Sequence, residues 1–373
     1  MKKRRGRFIL KILDLMMIAL TLAAVAGMTC AYIAPSVNPN SVWLFAYTGL
    51  AAPILYLANL FLMLYWVIRW KAIALLPVLI LLIGMPKIKA FYHFSDPAQI
   101  EAAGAIKIMT YNVEGFLERN PDTRRIASTA WQITGFIRET DPDIVCIQEF
   151  QSTPNVPEST INKWLGEWPH REIHYTITNE DRQGVFGSAI YSKLPIVRSG
   201  TVVFDESHNG ALWVEVLTPQ EDTLRVICNH LETTYVKDED LAFLQPGNFA
   251  SDPDKTGQLR KIAGRLRKGF RKRAGQANDI ASLIASQNTP TLVCGDFNDT
   301  PISYSYHTIR QGYGDTFEDK GTGYGYTYKR IYRLMRIDYI LRSPDLETLA
   351  YDSPDTPWSD HKPVIAVVRL KEN

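Results

Sequence analysis

The hydrophobic pattern divides the chain into two parts of different character. From Phe8 to Met85 the sequence is almost entirely apolar, whereas beyond Ala90 apolar and polar positions alternate as in a water-soluble domain. A helix needs roughly 20 predominantly apolar residues to cross a bilayer. The pattern therefore predicts a membrane anchor over residues 1–90, a linker over 91–104 and a globular domain over 105–373.

Three apolar runs in the first part are candidates for transmembrane helices. The runs 15–33 and 42–68 are each long enough to span, whereas the run 72–88 is shorter and contains Pro77. We therefore expect two to three transmembrane helices at these positions. A cleaved signal peptide is the alternative for the first run, because residues 24–26 (Ala-Val-Ala) resemble a cleavage site, but the apolar stretch is longer than a usual signal-peptide core.

The basic residues predict how the anchor is oriented. Lys and Arg are concentrated at the N terminus, the loop 35–41 carries no charge, and Arg69 and Lys71 follow the second run. Because Lys and Arg favour the cytoplasmic side of short loops, we expect a cytoplasmic N terminus in the inner cell membrane. A third crossing would place the globular domain on the extracytoplasmic side, although Lys87 and Lys89 on that side weaken the prediction.

The overall composition adds little to this division. The 373 residues are 46% hydrophobic and carry a formal net charge of +2. Cys146, Cys228 and Cys294 each lie in a predicted buried strand, where a free cysteine behaves as a small apolar residue. Their number and spacing indicate neither a disulfide framework nor a zinc site.

Beyond the linker, short apolar runs and a few helical patterns alternate. We predict helices over 123–140 and 271–286. Many strands with few helices in mixed order predict two packed sheets flanked by helices. The predicted strands are 106–111, 144–147, 188–191, 201–204, 212–217, 224–228, 291–294, 337–341 and 364–370.

A strongly basic run occupies residues 260–273. It follows the polar stretch 235–257, which has the composition of an inserted loop. Such a run is either a solvated helix face or a surface that binds a phosphate backbone or anionic headgroups. The sequence does not decide between these alternatives.

Polar residues with catalytic chemistry stand at the ends of the predicted strands. Carboxylates, amides and imidazoles gathered at such ends predict a hydrolytic metal site. These residues are Asn112, Glu149, His230, Asp296, Asn298, Asp338, Asp360 and His361.

The order of these residues resembles the endonuclease/exonuclease/phosphatase superfamily, particularly its deoxyribonuclease and neutral sphingomyelinase members. The segments 295–298 (Gly-Asp-Phe-Asn) and 359–361 (Ser-Asp-His) carry the resemblance, which runs from about Ile106 to Leu370. The resemblance implies a four-layer α/β sandwich. It also implies hydrolysis of phosphoester bonds by an activated water with a divalent metal ion.

Magnesium or manganese prefers oxygen ligands and is commonly held by one or two protein carboxylates. We expect Glu149 to be the principal metal ligand and Asp360 the second. The resemblance implies that Asn112 supports the metal or a phosphate oxygen of the substrate. It also assigns a catalytic role to His361 as the general base, oriented by Asp338.

The remaining candidates act on the phosphoryl group. Asn298 is expected to bind the phosphate in the transition state, while Asp296 positions the water or assists the leaving oxygen. His230 is expected to bind a phosphate oxygen or to protonate the leaving group. The sequence does not separate the last alternatives.

The substrate is the least determined property. Family members specialised for abasic sites have tyrosine where this chain has His230, and the Pro-x-Trp-x-Asp-Arg segment of inositol polyphosphate phosphatases has no counterpart before Ile337. Nucleic acid is one candidate substrate, served by Arg182, Lys193 and the basic run. A phospholipid or sphingomyelin headgroup is the other. A catalytically inactive membrane protein that binds phosphate or a partner is the alternative of a different class, and no protein partner can be inferred.

Overall fold

The computed structural model describes residues 2–94, 104–117, 126–178, 184–236, 238–243, 254–331 and 333–371. Its α-helices are α1 (Lys2–Ile33), α2 (Leu44–Leu50), α3 (Ala52–Ile68), α4 (Leu75–Ile88), α5 (Ile126–Thr140), α6 (Glu158–Trp164), α7 (Asp238–Phe243), α8 (Lys255–Ala285), α9 (Tyr304–Arg310) and α10 (Thr316–Lys320). Short 3-10 turns lie at Ala34–Ser36, Ala72–Ala74 and Glu114–Phe116.

The strands form two six-stranded sheets and one two-stranded ribbon. They are β1 (Tyr92–His93), β2 (Ala105–Asn112), β3 (Ile144–Gln151), β4 (His170–Thr178), β5 (Gly184–Ser192), β6 (Ile196–Val203), β7 (Gly210–Leu217), β8 (Thr223–His230), β9 (Thr291–Asp296), β10 (Gly314–Asp315), β11 (Gly323–Tyr324), β12 (Asp338–Arg342), β13 (Leu346–Asp352) and β14 (Val364–Leu370). The first sheet has the order β13-β14-β2-β3-β5-β4 and the second β10-β12-β9-β8-β7-β6, while β1 pairs with β11.

The main apolar core lies between the two sheets. Ile108 and Cys146 of the first sheet belong to the same buried cluster as Val226 and Leu292 of the second. Successive side chains of a strand point to opposite faces, so neighbours such as Met109 pack outward against α5 and α6. The outer face of the second sheet packs against α8 and α9. The sequence of helix, sheet, sheet and helix layers confirms the four-layer α/β sandwich.

The strand predictions are confirmed, but the start predicted for one helix was wrong. Every predicted strand overlaps an observed one, whereas the edge strands β4 and β13 and the two-residue strands β1, β10 and β11 were not predicted. Helix α8 begins at Lys255 and not near Arg271, because Asp254 caps it by accepting a hydrogen bond from the Gly257 backbone N–H at 3.1 Å. The basic run 260–273 therefore lies within one continuous helix, in which Arg273 is buried and pairs with Asp299. The part of the predicted helix 123–140 that precedes Ile126 lies outside the described residues.

The N-terminal apolar part forms a bundle of helices. Among the described residues, the stretch Leu10–Ser36 is the one helix long and apolar enough to cross a membrane. The second apolar run is broken into α2 and α3, which meet at 69°. Pro53 sits in the first turn of α3, where its ring disfavours helical geometry in the preceding residue. By length and composition, this N-terminal module therefore holds one helix that could span a membrane, or two if the broken pair counts as one span, together with the shorter apolar helix α4.

The module packs directly on the sandwich through α2. A Cβ atom on Gly49 would lie 2.3 Å from the Ile302 carbonyl oxygen, so only glycine permits this approach. The Thr300 hydroxyl donates a hydrogen bond to the Gly49 carbonyl at 3.2 Å. Ile302 joins a buried cluster with Met28 and Ala52 of the module. The loop that follows β9 is thus held against the N-terminal helices.

A second contact lies where the module ends. Arg336 is buried and donates to the Ala90 carbonyl at 2.9 Å while it pairs with Asp315. Next to it, β1 pairs with β11 through Tyr92 and Tyr324. The first residues of the predicted linker 91–104 therefore belong to a ribbon, and positions 95–103 lie outside the described residues.

The opposite end of the module carries charge. Arg69, after α3, pairs with Asp14 of α1 at 2.8 Å. Helix α1 runs from this pair to the loop 34–43, and α3 runs back from the loop side to Arg69. The sandwich contacts the loop, so the pair lies at the other end of the helices. Arg69 and the basic N-terminal residues therefore lie at the end of the helices opposite the globular domain, whereas Lys87 and Lys89, at the end of α4, lie next to the domain.

Candidate active site at the strand ends

Strand register brings six strand ends to one edge of the sandwich. In the second sheet, His230 and Asp338 are both register partners of Asp296, at the ends of β8, β12 and β9. In the first sheet, β2 ends at Asn112, beside the end of β3, and β14 begins just after His361. The topology thus explains why residues far apart in sequence can share one site.

Asp296 lies at the centre of this site. Its Oδ2 atom accepts hydrogen bonds from the side-chain amides of Asn112 at 3.0 Å and Asn298 at 3.2 Å. Its Oδ1 accepts from the Asn298 backbone N–H at 2.7 Å. The Nε2 atoms of His230 and His361 lie 3.7 and 3.8 Å from Oδ2. Four of the predicted residues therefore face a single carboxylate oxygen.

A β-bulge directs Glu149 into the same site. The register between β3 and β5 shifts at Gln148 and Phe150, and Glu149 between them has a positive φ of 55°. A bulge turns one side chain away from the regular alternation, and such strained geometry is common at functional sites. Glu149 Oε1 lies 3.1 Å from Asn112 Nδ2 and 3.8 Å from His230 Nε2. Its side chain remains 29% exposed, so solvent reaches the carboxylate.

Gly295 allows Asp296 to reach this position. It has a φ of 132°, and a Cβ atom there would lie 1.9 Å from the Asn229 carbonyl oxygen. A side chain would therefore separate β9 from β8 just before the two strands end. The glycine of the Gly-Asp-Phe-Asn segment is required by backbone packing.

Asp338 and His361 form a buried pair beside Asp296. His361 Nδ1 lies 2.9 and 3.1 Å from the two Asp338 oxygens, so this carboxylate fixes the ring and leaves Nε2 facing the site. The Ser359 hydroxyl donates to the Asn112 carbonyl at 2.7 Å and accepts the His361 backbone N–H. Ser359 thereby joins the loop before β14 to the end of β2.

Burial and mutual charge set the proton affinities of the site. Burial raises the pKa of Asp296 to about 6, and the nearby Asp338 carboxylate adds to this effect. Burial likewise raises the pKa of Glu149 and lowers that of His230. Burial alone would lower the pKa of His361, but the Asp338 and Asp296 carboxylates outweigh it and raise the value to about 10. A base role for His361 therefore requires that part of the surrounding negative charge be neutralised.

The donor set fits a small divalent cation. Asp296, Asp338 and His361 offer atoms within 4.8 Å of one another, but the hydrogen bond between His361 and Asp338 already engages that pair. Glu149 combines a carboxylate with solvent access, which suits an ion that retains several waters. Burial with like-charged neighbours also makes a cation favourable here, because it relieves the repulsion among carboxylates. Of the described residues, Glu149 is the best placed to hold such an ion.

Two predicted metal ligands have other partners. The Asn112 amide oxygen accepts the Glu114 backbone N–H at 3.0 Å, so its amide nitrogen faces Glu149 and Asp296. Asp360 Oδ2 lies 2.9 Å from Arg330 Nε, while its Oδ1 lies 3.9 Å from His361 Nε2. In this arrangement Asn112 is a hydrogen-bond donor to the carboxylates. Asp360 lies between Arg330 and His361, beside the other residues of the site.

Sequence reasoning missed a segment that lies over the site. The Tyr328 ring is 5.0 Å from the His361 ring, and a β-bridge joins the two residues. Arg330 contacts Glu114 at 2.9 Å as well as Asp360. Arg330 brings a positive charge to an otherwise acidic edge. No predicted strand ends at Tyr328 or Arg330, so the sequence pattern gives no signal for them.

The structure brings together all of the predicted site residues. The two hydrogen-bonded centres, Asp296 and the pair of Asp338 and His361, are adjacent. The cations suggested for nucleic-acid binding are placed differently. Lys193 pairs with Asp141 and its ammonium lies over the Trp168 ring, and Arg182 lies outside the described residues.

Comparisons with known proteins agree with this geometry. The model of the Endonuclease/Exonuclease/phosphatase family matches residues 109–361, and that of a domain of unknown function (DUF8431) matches residues 11–91. The fold is similar to an endonuclease/exonuclease/phosphatase from Beutenbergia cavernae DSM 12333, with 18% identity and a TM-score of 0.52 over 71% of this chain and 72% of that one. It is also similar to ANGEL2, a 2',3'-cyclic phosphatase solved in complex with adenosine-2',3'-vanadate, with 18% identity and a TM-score of 0.50 over 71% and 96% of the two chains. No curated protein matches the sequence.

Proposed function

Because the chain belongs to the Endonuclease/Exonuclease/phosphatase family, whose members generally hydrolyse phosphoester bonds, we propose that it is a membrane-anchored, divalent-metal-dependent phosphoesterase. The convergence of catalytic side chains on Asp296 is the observation that carries the proposal. An inactive binding protein would not need the buried, mutually repelling carboxylates that this edge maintains.

Glu149 would hold the magnesium or manganese ion, with Asp360 as a further carboxylate and Asn112 as a support. When bound, such an ion polarises a phosphoryl oxygen and stabilises developing negative charge. Asn112 keeps Glu149 in place through the 3.1 Å hydrogen bond. The bulge at Glu149 and the amide of Asn112 therefore position the carboxylate that would bind the ion.

The other residues act on the water and the phosphoryl group. His361, held by Asp338, takes the proton from the attacking water at Nε2. Asp296 orients that water. The side-chain amide of Asn298, which in the structure donates to Asp296 and to the Leu231 carbonyl, would exchange its contact with Asp296 for a phosphoryl oxygen of the transition state. His230, whose pKa burial lowers, binds a phosphate oxygen or passes a proton to the leaving group. Arg330 adds a positive charge on the substrate side of the site.

The structure favours a lipid headgroup over nucleic acid as the substrate. An apolar cavity of about 440 Å³ between α3 and α4 ends at Phe91, Tyr324 and Leu334. Tyr324 donates to the Leu334 carbonyl at 2.7 Å. The segment between these two residues contains Tyr328 and Arg330. An acyl chain in the cavity would thus contact the segment 324–334, which also contacts His361 and Asp360 of the site.

The contacts of the module support an extracytoplasmic location for the catalytic domain. The domain touches the loop 34–43 and Ala90, whereas Arg69 and the basic N terminus occupy the other end of the helices. Basic loops remain cytoplasmic, so the site would face away from the cytoplasm. Protease treatment of intact spheroplasts tests this, and a fully protected domain would contradict it.

Hydrolysis by the full chain in detergent tests the proposed activity. The substrates are bis-p-nitrophenyl phosphate, plasmid DNA, RNA and sphingomyelin, each with magnesium, manganese or a chelator. We expect metal-dependent cleavage that falls at least about a hundredfold in Asp296→Ala. The exposed carboxylate Asp141 provides the matched control Asp141→Ala, which should retain full activity. Failure of the folded protein on all four substrates would favour a phosphate-binding role.

A further inference from the structure

A basic cavity lies on the surface of α8. It has a volume of about 670 Å³ and is lined by Asn40, Glu206, Gly264 and four basic side chains of α8, which are Arg267, Lys268, Arg271 and Lys272. Four cations face one acidic residue. The cavity therefore carries a net positive charge, and none of its lining residues belongs to the proposed catalytic site.

Helical spacing puts these residues on one face. Residues three and four apart are neighbours on a helix surface, so Gly264, Arg267, Lys268 and Arg271 form one strip. Gly264 lies in open space, since a Cβ atom there would meet nothing within 4 Å. A glycine inside a helix costs about 0.5 to 1 kcal/mol relative to alanine. No neighbouring atom requires a glycine at this position. The absence of a side chain leaves space at the base of the cavity.

The cations are only weakly neutralised. Within the described part of the chain, Arg267, Lys268 and Arg271 form no ion pair with a carboxylate. Arg267 lies over the Trp43 ring at 5.3 Å, and Lys268 over the Tyr235 ring at 4.8 Å. Lys272 lies 3.6 Å from Glu232. Most of the positive charge is thus available to an anion.

The cavity adjoins the end of the membrane module. Asn40, in the loop after the apolar stretch Leu10–Ser36, donates to the Arg271 carbonyl at 3.1 Å and accepts from its side chain at 3.2 Å. The next residues are apolar and exposed: Val42 by 43%, Trp43 by 38% and Leu44 by 59%. Tryptophan is common at the level of lipid headgroups. Cationic and apolar side chains therefore meet where a bilayer surface would lie.

We propose that this cavity binds the phosphate-bearing headgroup of an anionic glycerophospholipid. The occupant follows from the combination of an unneutralised basic face with exposed apolar residues, since a nucleic acid would use the charge but not Val42 and Leu44. The proposal rests on the membrane anchoring of the proposed function but not on its catalytic part. It gives the basic run 260–273 a role separate from substrate hydrolysis.

Lipid-dependent thermal stabilisation of the full chain tests the proposal. The protein is purified in nonionic detergent with a chelator, so that hydrolysis does not interfere, and the apparent Tm is followed as dioleoylphosphatidylglycerol is added. We expect a saturable rise in Tm. The variant Arg267→Gln with Lys268→Gln should need roughly thirtyfold more lipid, because each cation near an anionic surface contributes about a factor of five. Dioleoylphosphatidylcholine and sodium phosphate should give no comparable rise.

The helix provides a matched control two turns earlier. Arg260 and Lys261 form the same exposed Arg-Lys pair but do not line the cavity, so Arg260→Gln with Lys261→Gln should bind like the wild type. Gly264→Leu fills the floor without changing charge and should also weaken binding. Equal lipid dependence in the cavity and control variants would overturn the proposal. A Tm rise with a short DNA strand, lost in the cavity variant, would assign the surface to nucleic acid instead.

Hydrolysis of bis-p-nitrophenyl phosphate separates the two proposals. The cavity variant should keep this metal-dependent activity within about twofold, because its residues are not in the catalytic edge. Lipid binding without any hydrolysis would contradict the enzymatic proposal alone. Hydrolysis without selective lipid binding would contradict the headgroup site alone.

Discussion

Two buried pairs each include a carboxylate of the second sheet, and they serve different purposes. Asp338 pairs with His361 at 2.9 Å, and Asp315 pairs with Arg336 at 2.8 Å. Both carboxylates are almost fully buried, at 2% and 1% exposure, and they belong to the neighbouring strands β12 and β10. Burial and pairing are therefore not what distinguishes a catalytic carboxylate from a structural one.

The partners make the difference. Arg336 is permanently charged and donates to both Asp315 oxygens and to the Ala90 carbonyl. Burial alone would raise the pKa of Asp315, but Arg336 holds it below its ordinary value. His361 gives one ring nitrogen to Asp338 and leaves the other facing Asp296. The pair of Asp315 and Arg336 attaches the sandwich to the N-terminal helices, whereas the pair of Asp338 and His361 leaves a ring nitrogen free to transfer a proton.

The largest expected effect is on activity, from His361→Ala. General-base catalysis contributes about 10² to 10⁴ in rate, so kcat should fall by that factor. Loss of the buried partner of Asp338 should also lower the apparent Tm, so the rate is measured at a temperature at which the variant stays folded. His170→Ala on the edge strand β4 is the matched control and should stay near the wild-type rate. Steady-state hydrolysis of bis-p-nitrophenyl phosphate measures both. A His361→Ala enzyme within threefold of the wild type would remove the distinction between the two pairs.

Asp315→Asn should act on stability instead. Breaking a buried pair leaves the Arg336 charge uncompensated and costs about 3 to 5 kcal/mol of unfolding free energy. Chemical denaturation in detergent, followed by near-ultraviolet circular dichroism, measures the loss. The surface pair of Arg369 and Glu347 has side chains exposed by 40% and 38%, so Glu347→Gln should cost less than about 1 kcal/mol. Equal costs would show that burial is not decisive.

Asp296→Asn should alter how stability depends on pH. The folded-state pKa of Asp296 is raised to about 6, so the folded protein binds this proton more tightly than the unfolded chain. The wild type therefore loses stability as the pH rises from about 4 through 6. At pH 8 in a chelator, the variant should be more stable by about 1 to 3 kcal/mol, with this gain absent at pH 4. A gain independent of pH would contradict the assignment.

The smallest effect concerns the docking of the module. Gly49→Ala places a Cβ against the Ile302 carbonyl, and such overpacking costs about 1 to 3 kcal/mol. Gly275→Ala on α8 meets nothing within 4 Å and should stabilise the helix by about 0.5 to 1 kcal/mol. Limited proteolysis and denaturation compare the two variants. Identical behaviour would mean that the module is not packed on the sandwich through α2.

The fold was largely predictable because strand patterns and motif order are local signals. The central strands were found since both faces are buried and their apolar runs are continuous. The edge strand β4 was missed because its residues are half-buried, with a burial pattern close to that of a loop. The start of α8 was misplaced because its basic residues mask the buried positions Ile262 and Phe270.

The identities of the strand-end residues in the site were predictable from the sequence, but their mutual contacts and orientations were not. The strand ends predicted the eight residues from Asn112 to His361 that converge on the site, since polar residues after apolar runs are visible in sequence, but not Tyr328 or Arg330. The bulge at Glu149, the amide orientation of Asn112 and the approach of Arg330 depend on tertiary packing. No periodicity encodes these features, and they decide which atoms face the substrate.

The most direct test of the central claim is a metal titration of the hydrolytic rate. The full chain is stripped with a chelator, and magnesium or manganese is added back to the wild type, Glu149→Gln and His361→Ala. The account predicts no rate without metal and a half-saturating metal concentration at least about tenfold higher in Glu149→Gln. His361→Ala should retain the metal requirement at a much lower rate. Hydrolysis that survives the chelator, or a Glu149→Gln enzyme with the wild-type metal dependence, would contradict it.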